Sequence, residues 1–312
     1  MLDRFARPLI FSPWVVVAPR QSFDAGNGHD RPPHGFARAG FLSIPWRSFV
    51  VSLFAISGAS LPVLLLWTLA ASDPPMTPDV LFRFFAQWSV VPAAIAVALR
   101  ASRRARIEIS DSALIVSLRG RRIEVPLEAI RRVVPWSIPL PGPGLWLVLP
   151  SGRRLGVELT DPTPLVAALC DHGVPGADRA VDDPALVHAR ARALRARRFF
   201  ERPLFKFAAV GLLPSGVLFY THQHIAYGGL FGEYHLVGLG AWLGSALTHW
   251  AAITIYLVLY ASVGRALAEI VCWISARVAP PRAAGVRRLV ETITQVFYYG
   301  GIPLILVIRY TA

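Results

Sequence analysis

Ser48-Phe-Val-Val-Ser-Leu-Phe-Ala-Ile-Ser-Gly-Ala-Ser-Leu-Pro-Val-Leu-Leu-Leu-Trp-Thr-Leu-Ala-Ala-Ser72 runs for 25 residues without a charge. A hydrocarbon core of about 30 Å needs about 20 helical residues, so this stretch predicts a membrane span. Four more spans are predicted downstream. Asp79 to Leu99 is interrupted internally only by Arg83, close enough to one end to snorkel to the interface. Leu204 to Tyr220 is shorter, with Lys206 near its start and Pro214 inside. Leu236 to Gly264 is uncharged for 29 residues, so it should tilt or extend beyond the bilayer. Thr292 to Ile308 carries Gly300, Gly301 and Pro303 in its second half; such residues are tolerated in spans where neighbouring helices satisfy the freed backbone.

The composition agrees. The 312 residues are 54% hydrophobic and 16% charged, where soluble domains run about 25% charged. The net charge is +13, and Lys206 is the single Lys among 32 basic residues. That skew reflects codon usage as much as function. Cys170 and Cys272 offer neither a disulfide framework nor a metal cluster. The one lysine, in Phe205-Lys206-Phe207, excludes a GxxxxGK[ST] loop. GxSxG, HExxH, CxxC and paired-carboxylate arrangements are absent as well, so nothing supplies a nucleophile with its base.

Orientation follows from the distribution of Lys and Arg in flanking segments. Segments 1–47, 100–206 and 265–288 hold thirty basic residues, while Arg83 and Arg309 are the two on the opposite side. This places the N-terminus and the long central segment in the cytoplasm and the C-terminus outside, in a bacterial inner membrane. Pro8 to Pro19 is a short apolar run broken by Pro13, without the h-region of a signal peptide. Phe11 to Val17 is either a short interfacial segment or disordered. Residues 20–40 mix Gly, Pro, Asp, Arg and His and read as a mobile loop.

The central segment holds the stretch able to form a water-soluble domain. Arg106 to Ile109 alternates, Ser110-Asp111-Ser112 turns, and Leu114 to Leu118 alternates again. Arg119-Gly120-Arg121 makes a hairpin tip before Ile123 to Leu127 and Ile130 to Trp136. A Pro/Gly loop over Pro139 to Gly144 precedes Leu145 to Leu149. Ser151-Gly152 turns into Leu155 to Leu159. Thr160 or Asp161 then caps a helix from about Pro162 to Cys170, with Leu165, Val166 and Leu169 inward. Short strands followed by one helix predict an antiparallel sheet closed by a helix.

Two stretches here resemble a known family: Ile107-Glu-Ile-Ser-Asp-Ser-Ala-Leu-Ile-Val, then Gly120-Arg-Arg-Ile-Glu-Val-Pro-Leu-Glu-Ala-Ile-Arg-Arg-Val. They look like the bacterial pleckstrin-homology-like (PH-like) domain, which often follows a transmembrane hairpin. The likeness covers roughly 105–172 and rests on hydrophobic spacing. It implies a seven-stranded fold, of which about six strands are legible. The turn Ser110 to Ser112 lacks the basic cluster that eukaryotic relatives use for phosphoinositides, so headgroup binding does not carry over.

Several side-chain groups are candidates for function. Ala185 to Phe200 predicts a helix bearing Arg190, Arg192, Arg195, Arg197 and Arg198. A basic segment near the cytoplasmic leaflet gains about 1 kcal/mol per Arg from anionic lipid; the alternative is a topology signal on a solvated helix face. Nucleic acid is not expected, since no aromatic platform accompanies the charge. In the outer loop His222, His224, Glu233 and His235, with Tyr227 and Tyr234, either share a Zn²⁺ or Cu²⁺ or form an interfacial aromatic belt. His249 sits about 20 Å into the fourth span. It is either a hydrogen-bonded neutral imidazole or a proton relay, with no second intramembrane acid or base expected at its depth. Gly240 and Gly244 are spaced for close helix packing, within the chain or between copies. Arg265 and Glu269, and Arg287 and Glu291, are spaced to pair.

The organisation expected is therefore an α-helical membrane protein of about five spans with an inserted small antiparallel β domain and closing helix. Its parts are a cytoplasmic segment 1–47, a transmembrane hairpin 48–99, a PH-like domain 100–175, a basic juxtamembrane helix 176–203 and a transmembrane region 204–312. The expected role is a non-enzymatic interaction or scaffold module contacting protein or anionic lipid, with no cofactor. The alternatives are a membrane metalloprotein using the outer His/Glu group and a small transporter using His249.

Overall fold

The computed structural model of the protein describes residues 16–18, 34–70, 77–118, 120–193, 204–301 and 304. Strands β1 (Val16–Ala18) and β2 (His34–Leu42) precede helix α1 (Ile44–Ala70). The second apolar stretch is α2 (Pro78–Phe84), a π-helical segment Phe85–Val90 and α3 (Val91–Ser102). Six strands follow: β3 (Arg104–Ile109), β4 (Ala113–Leu118), β5 (Arg121–Pro126), β6 (Arg132–Pro135), β7 (Gly144–Val148) and β8 (Arg154–Glu158). Next come α4 (Thr163–Asp171), α5 (Ala177–Val181) and α6 (Pro184–Ala193). The C-terminal part holds α7 (Val210–Tyr227), α8 (Gly232–Val237), α9 (Leu239–Val278) and α10 (Ala283–Val296).

Among the described residues, three helices are long and apolar enough to cross a membrane: Ile44–Ala70, Pro78–Ser102 and Leu239–Val278. They coincide with the first, second and fourth predicted spans. Neither of the other two predicted spans is such a helix. α7 carries the polar run Thr221-His222-Gln223-His224 before its end at Tyr227, and most of the fifth span beyond Gly301 lies outside the described residues. α9 has 40 residues, about 60 Å at 1.5 Å each, so it runs well past a core of about 30 Å.

The described residues form two compact units. One takes in the sheet and α4 to α6 together with residues 44–52, 96–102 and 276–280 from the ends of α1, α3 and α9; the other takes in the remaining helical residues.

In the first unit all strands lie in one antiparallel sheet, ordered β1-β5-β4-β3-β2-β8-β7-β6. The six strands and closing helix read from the sequence recur within two residues of their expected bounds. Pro162 and not Thr160 or Asp161 holds the capping position of α4, with no side-chain cap; Asp161 Oδ1 instead accepts from Thr163 N–H at 2.9 Å in the turn before the helix. The sheet core is Ile107, Leu114, Ile130, Leu145, Leu147, Leu165 and Leu169, all buried, and each Leu or Ile contributes about 1.5–3 kcal/mol.

One correction is large. Residues 34–40, expected in a mobile loop, belong to β2, the strand that joins the two halves of the sheet. Gly40 pairs with Arg104 of β3 on one side and Glu158 of β8 on the other, and Leu42 is 1% exposed. β2 lies before α1, whereas both its partners lie after α3. The sheet is therefore interrupted in sequence by the helices α1 to α3 and does not begin after them.

In the second unit, α1 packs on the π-helical segment through serines. Ser57 Oγ donates to Ser89 O (2.7 Å), Ser60 Oγ to Trp88 O (3.2 Å), and the hydroxyls of Ser60 and Ser89 are 2.7 Å apart. A π-turn displaces the ordinary ladder, and these hydroxyls satisfy the carbonyls there, as an apolar surrounding demands. Large apolar side chains on the same helices, such as Val63, Leu66, Trp67 and Val90, are exposed.

The pairs Arg265/Glu269 and Arg287/Glu291 join into one network between α9 and α10. Arg265 contacts Glu269 and Glu291 (2.7 Å to the latter), and Arg287 bonds Glu269 (2.9 and 3.0 Å) and pairs with Glu291 (2.9 Å). The charged side of α10 faces inward, with Arg287 buried, while Leu289, Ile293 and Val296 are exposed. That polarity is inverted relative to a helix on a water-soluble core.

Candidate functional site

Within the sheet unit, the side chains with the most unusual surroundings gather where the strands meet the heads of α1 and α3. β6 ends at Pro135, which delivers Trp136, and β7 contributes Trp146; their rings lie 5.4 Å apart. Arg47, in the first turn of α1, places its guanidinium 4.2 Å from the Trp136 ring and 5.6 Å from that of Trp146. It also donates to Ile138 O at 2.9 Å. A guanidinium over an indole face is worth about 0.5–2 kcal/mol, more as water is excluded. Arg103, just past α3, covers Trp46 at 4.6 Å, and Arg277 of α9 donates to Ser137 O at 3.1 Å.

Glu158 closes β8 in the middle of this seam with its side chain 3% exposed. Arg100 Nη2 lies 2.5 Å from Oε1. Burial pushes the Glu158 carboxyl above its ordinary value, and the charges of Arg100, Arg192 and Arg47 offset this only in part. Space for it comes from glycine. A Cβ at Gly142 would sit 2.5 Å from Glu158 Oε1, and one at Gly40 3.2 Å from Oε2. At Gly156 a Cβ would meet Leu42 O at 2.2 Å and the Trp146 ring at 2.7 Å. The loop from Ser137 to Gly142 holds Ile138 and Leu140, both exposed. The seam thus combines cations, indole faces, one buried carboxylate and apolar loop tips: adhesive chemistry.

The structure redistributes the candidates drawn from the sequence. Arg190 is exposed on α6, while Arg192 is half-buried and its charge acts on Glu158. Arg195, Arg197 and Arg198 lie outside the described residues. Of the proposed metal ligands, Glu233 is buried and accepts from Gln223 Nε2 (2.5 Å). His224 Nδ1 lies 3.0 Å from Tyr220 O, and His235 packs on Tyr234. His222 turns to His249, ring centroids 5.0 Å apart. The four do not converge, and among the described residues no three His, Cys, Asp or Glu side chains could hold a metal ion. The rings of Phe219, Phe231 and Trp242 cluster nearby.

His249 Nδ1 is 2.8 Å from Ser245 O of its own helix, so its bond does not cross a helix interface. The expectation of no second titratable group beside it is corrected by His222, which stands on α7 and not in a loop. Gly240 and Gly244 are not packing contacts among the described residues: a Cβ at either meets nothing within 4 Å.

Compared with known proteins, the chain matches no family model, no curated protein and no solved structure.

Arg47, Arg100, Trp136, Trp146 and Glu158 did not emerge from the sequence. The available signal was Glu158 itself, a carboxylate within the apolar strand Leu155 to Leu159, flanked by glycine-rich turns. Arg100 and Arg47, which act on it, lie more than fifty residues earlier in the chain.

Proposed function

We propose that the protein is a membrane-anchored interaction module of the bacterial cytoplasmic membrane. A PH-like domain on the cytoplasmic side docks protein or the anionic leaflet, without catalysis. The observation that carries this reading is β2. Because the domain takes strands from both sides of the α1–α3 hairpin, its surface is tied to the membrane at both ends of that hairpin. Counting β2, the sheet reaches the seven strands that the PH-like resemblance implies, with β1 as a short addition, and α4 closes it. Arg47 and Arg100 add a second tie, stacked on Trp136 and set against Glu158. The distribution of Arg supports a cytoplasmic domain, and α7 and the segment 292–308 complete a five-span topology.

The test joins residue 43 to residue 103 by a two-residue turn and continues to residue 203, with Glu158→Gln because Arg47 and Arg100 are removed. Flotation is measured with phosphatidylglycerol and phosphatidylcholine vesicles at several salt concentrations. Salt-sensitive flotation on phosphatidylglycerol, lost when Arg190, Arg192, Arg195, Arg197 and Arg198 become Gln, supports leaflet docking. A folded domain that ignores both vesicles assigns docking to protein. Proton flux in vesicles of the full chain that vanishes with His249→Ala would sink the reading in favour of transport.

A further inference from the structure

A cleft of about 590 Å³ lies between β6 and the segment from Cys170 to Asp183, within the size range of binding clefts. β6 is the last strand of the sheet, and the turn into α5 approaches it closely. Gly176 adopts φ +76°, and a Cβ there would stand 3.4 Å from Arg132 Cγ. Arg131 and Arg132 border the cleft on the strand side and Arg179 on the helix side. All three are exposed, and among the described residues none of their guanidinium groups has an ion-pair or hydrogen-bond partner. Of the two acids at the rim, Asp183 is engaged in capping α6, accepting from Ala185 N–H at 2.8 Å. Asp178 alone opposes three guanidinium groups.

We propose that this cleft binds an extended acidic segment of a partner protein. Extended segments lie along sheet edges in a recurrent recognition mode, and guanidinium groups pair with carboxylates in charge-assisted contacts. The protein's own bilayer is the less suitable partner. Trp136, directly after β6, stacks under Arg47 at the head of α1, whereas Arg131 and Arg132 stand at the other end of the strand. Four residues of strand separate them by about 13 Å. The inference rests on the proposed role as an interaction module and specifies its partner.

The full chain is reconstituted in phosphatidylcholine nanodiscs and titrated with a fluorescein-labelled peptide of alternating Glu and Val; polarisation is read at low and moderate salt. A Gln/Val peptide is the neutral control. Expected is binding that salt weakens and that drops at least tenfold when Arg131, Arg132 and Arg179 become Gln. Replacing Arg104, Arg121 and Arg153, exposed arginines elsewhere on the same unit, should leave it within twofold. Equal binding of the Gln/Val peptide, equal loss in both triple variants, or no binding by the folded chain overturns the cleft. So does displacement of the peptide by phosphatidylglycerol vesicles whose own binding needs the same three arginines. None of these outcomes bears on leaflet docking through residues 190–198, which the flotation experiment decides separately.

Discussion

Deleting β2 should unfold the sheet unit even though the deleted residues lie before α1 and their strand partners after α3. Two soluble proteins make the comparison: residues 103–193 alone, and residues 34–43 joined by Asn-Gly to 103–193, both with Glu158→Gln. Leu42 is 1% exposed beside Gly156, and truncating one such leucine costs about 2–5 kcal/mol. Losing the whole strand also strips the ladders that β3 and β8 share with it, at about 1 kcal/mol net for each hydrogen bond not remade. These losses together match the roughly 5–15 kcal/mol that a small domain has in total. Urea denaturation followed by Trp136 and Trp146 fluorescence should therefore show a cooperative transition for the spliced protein and none for residues 103–193. Equal midpoints for the two would refute the assignment of β2 as a structural strand.

Other perturbations have equally definite outcomes. Gly156→Ala should push β2 off β8, because its methyl meets Leu42 O and the Trp146 ring; a loss of about 1–3 kcal/mol by urea titration of the spliced protein is expected. For Glu158, the folded carboxyl holds its proton more tightly than the unfolded one. Its contribution is fully present below the ordinary carboxylate value and is lost as pH rises through the raised folded value. Melting of the full chain in detergent should fall across that window, and Glu158→Gln should flatten the fall. Arg287→Ala leaves two carboxylates, Glu269 and Glu291, to the single guanidinium of Arg265 beside a buried site; about 3–5 kcal/mol should be lost from the detergent-solubilised protein. Glu269→Gln in the same background should recover part of it, since it removes one of the stranded charges.

Much of this architecture was legible in the residues alone. Charge-free runs announce spans because a bilayer tolerates no unsatisfied backbone and few charges. Alternation with Gly turns located β3 to β8 closely, since each of these strands lies within a short reach of a sequence neighbour it pairs with. β2 was missed for the complementary reason. His34-Gly-Phe-Ala-Arg-Ala-Gly-Phe-Leu42 has two glycines, a shift of register between Phe36 and Ala39, and partners beyond the whole hairpin. Local pattern carries no trace of such pairing.

The same division separates the candidate residues. Arg265/Glu269 and Arg287/Glu291 were recognisable as pairs from spacing, because four residues make one helical turn, but their union into a network depends on how α9 and α10 pack. His222 and His249 stand on different helices, and their meeting is likewise a tertiary result. The sequence by itself determined three of the long apolar helices and where the strands after Ser102 begin and end. Only the tertiary structure decided that a strand from before the hairpin completes the sheet. It alone set Arg47 on Trp136 and Arg100 against Glu158. The physical reason is that burial and pairing of these groups are supplied by segments distant along the chain. A charge or an indole acquires its role from what folding places against it.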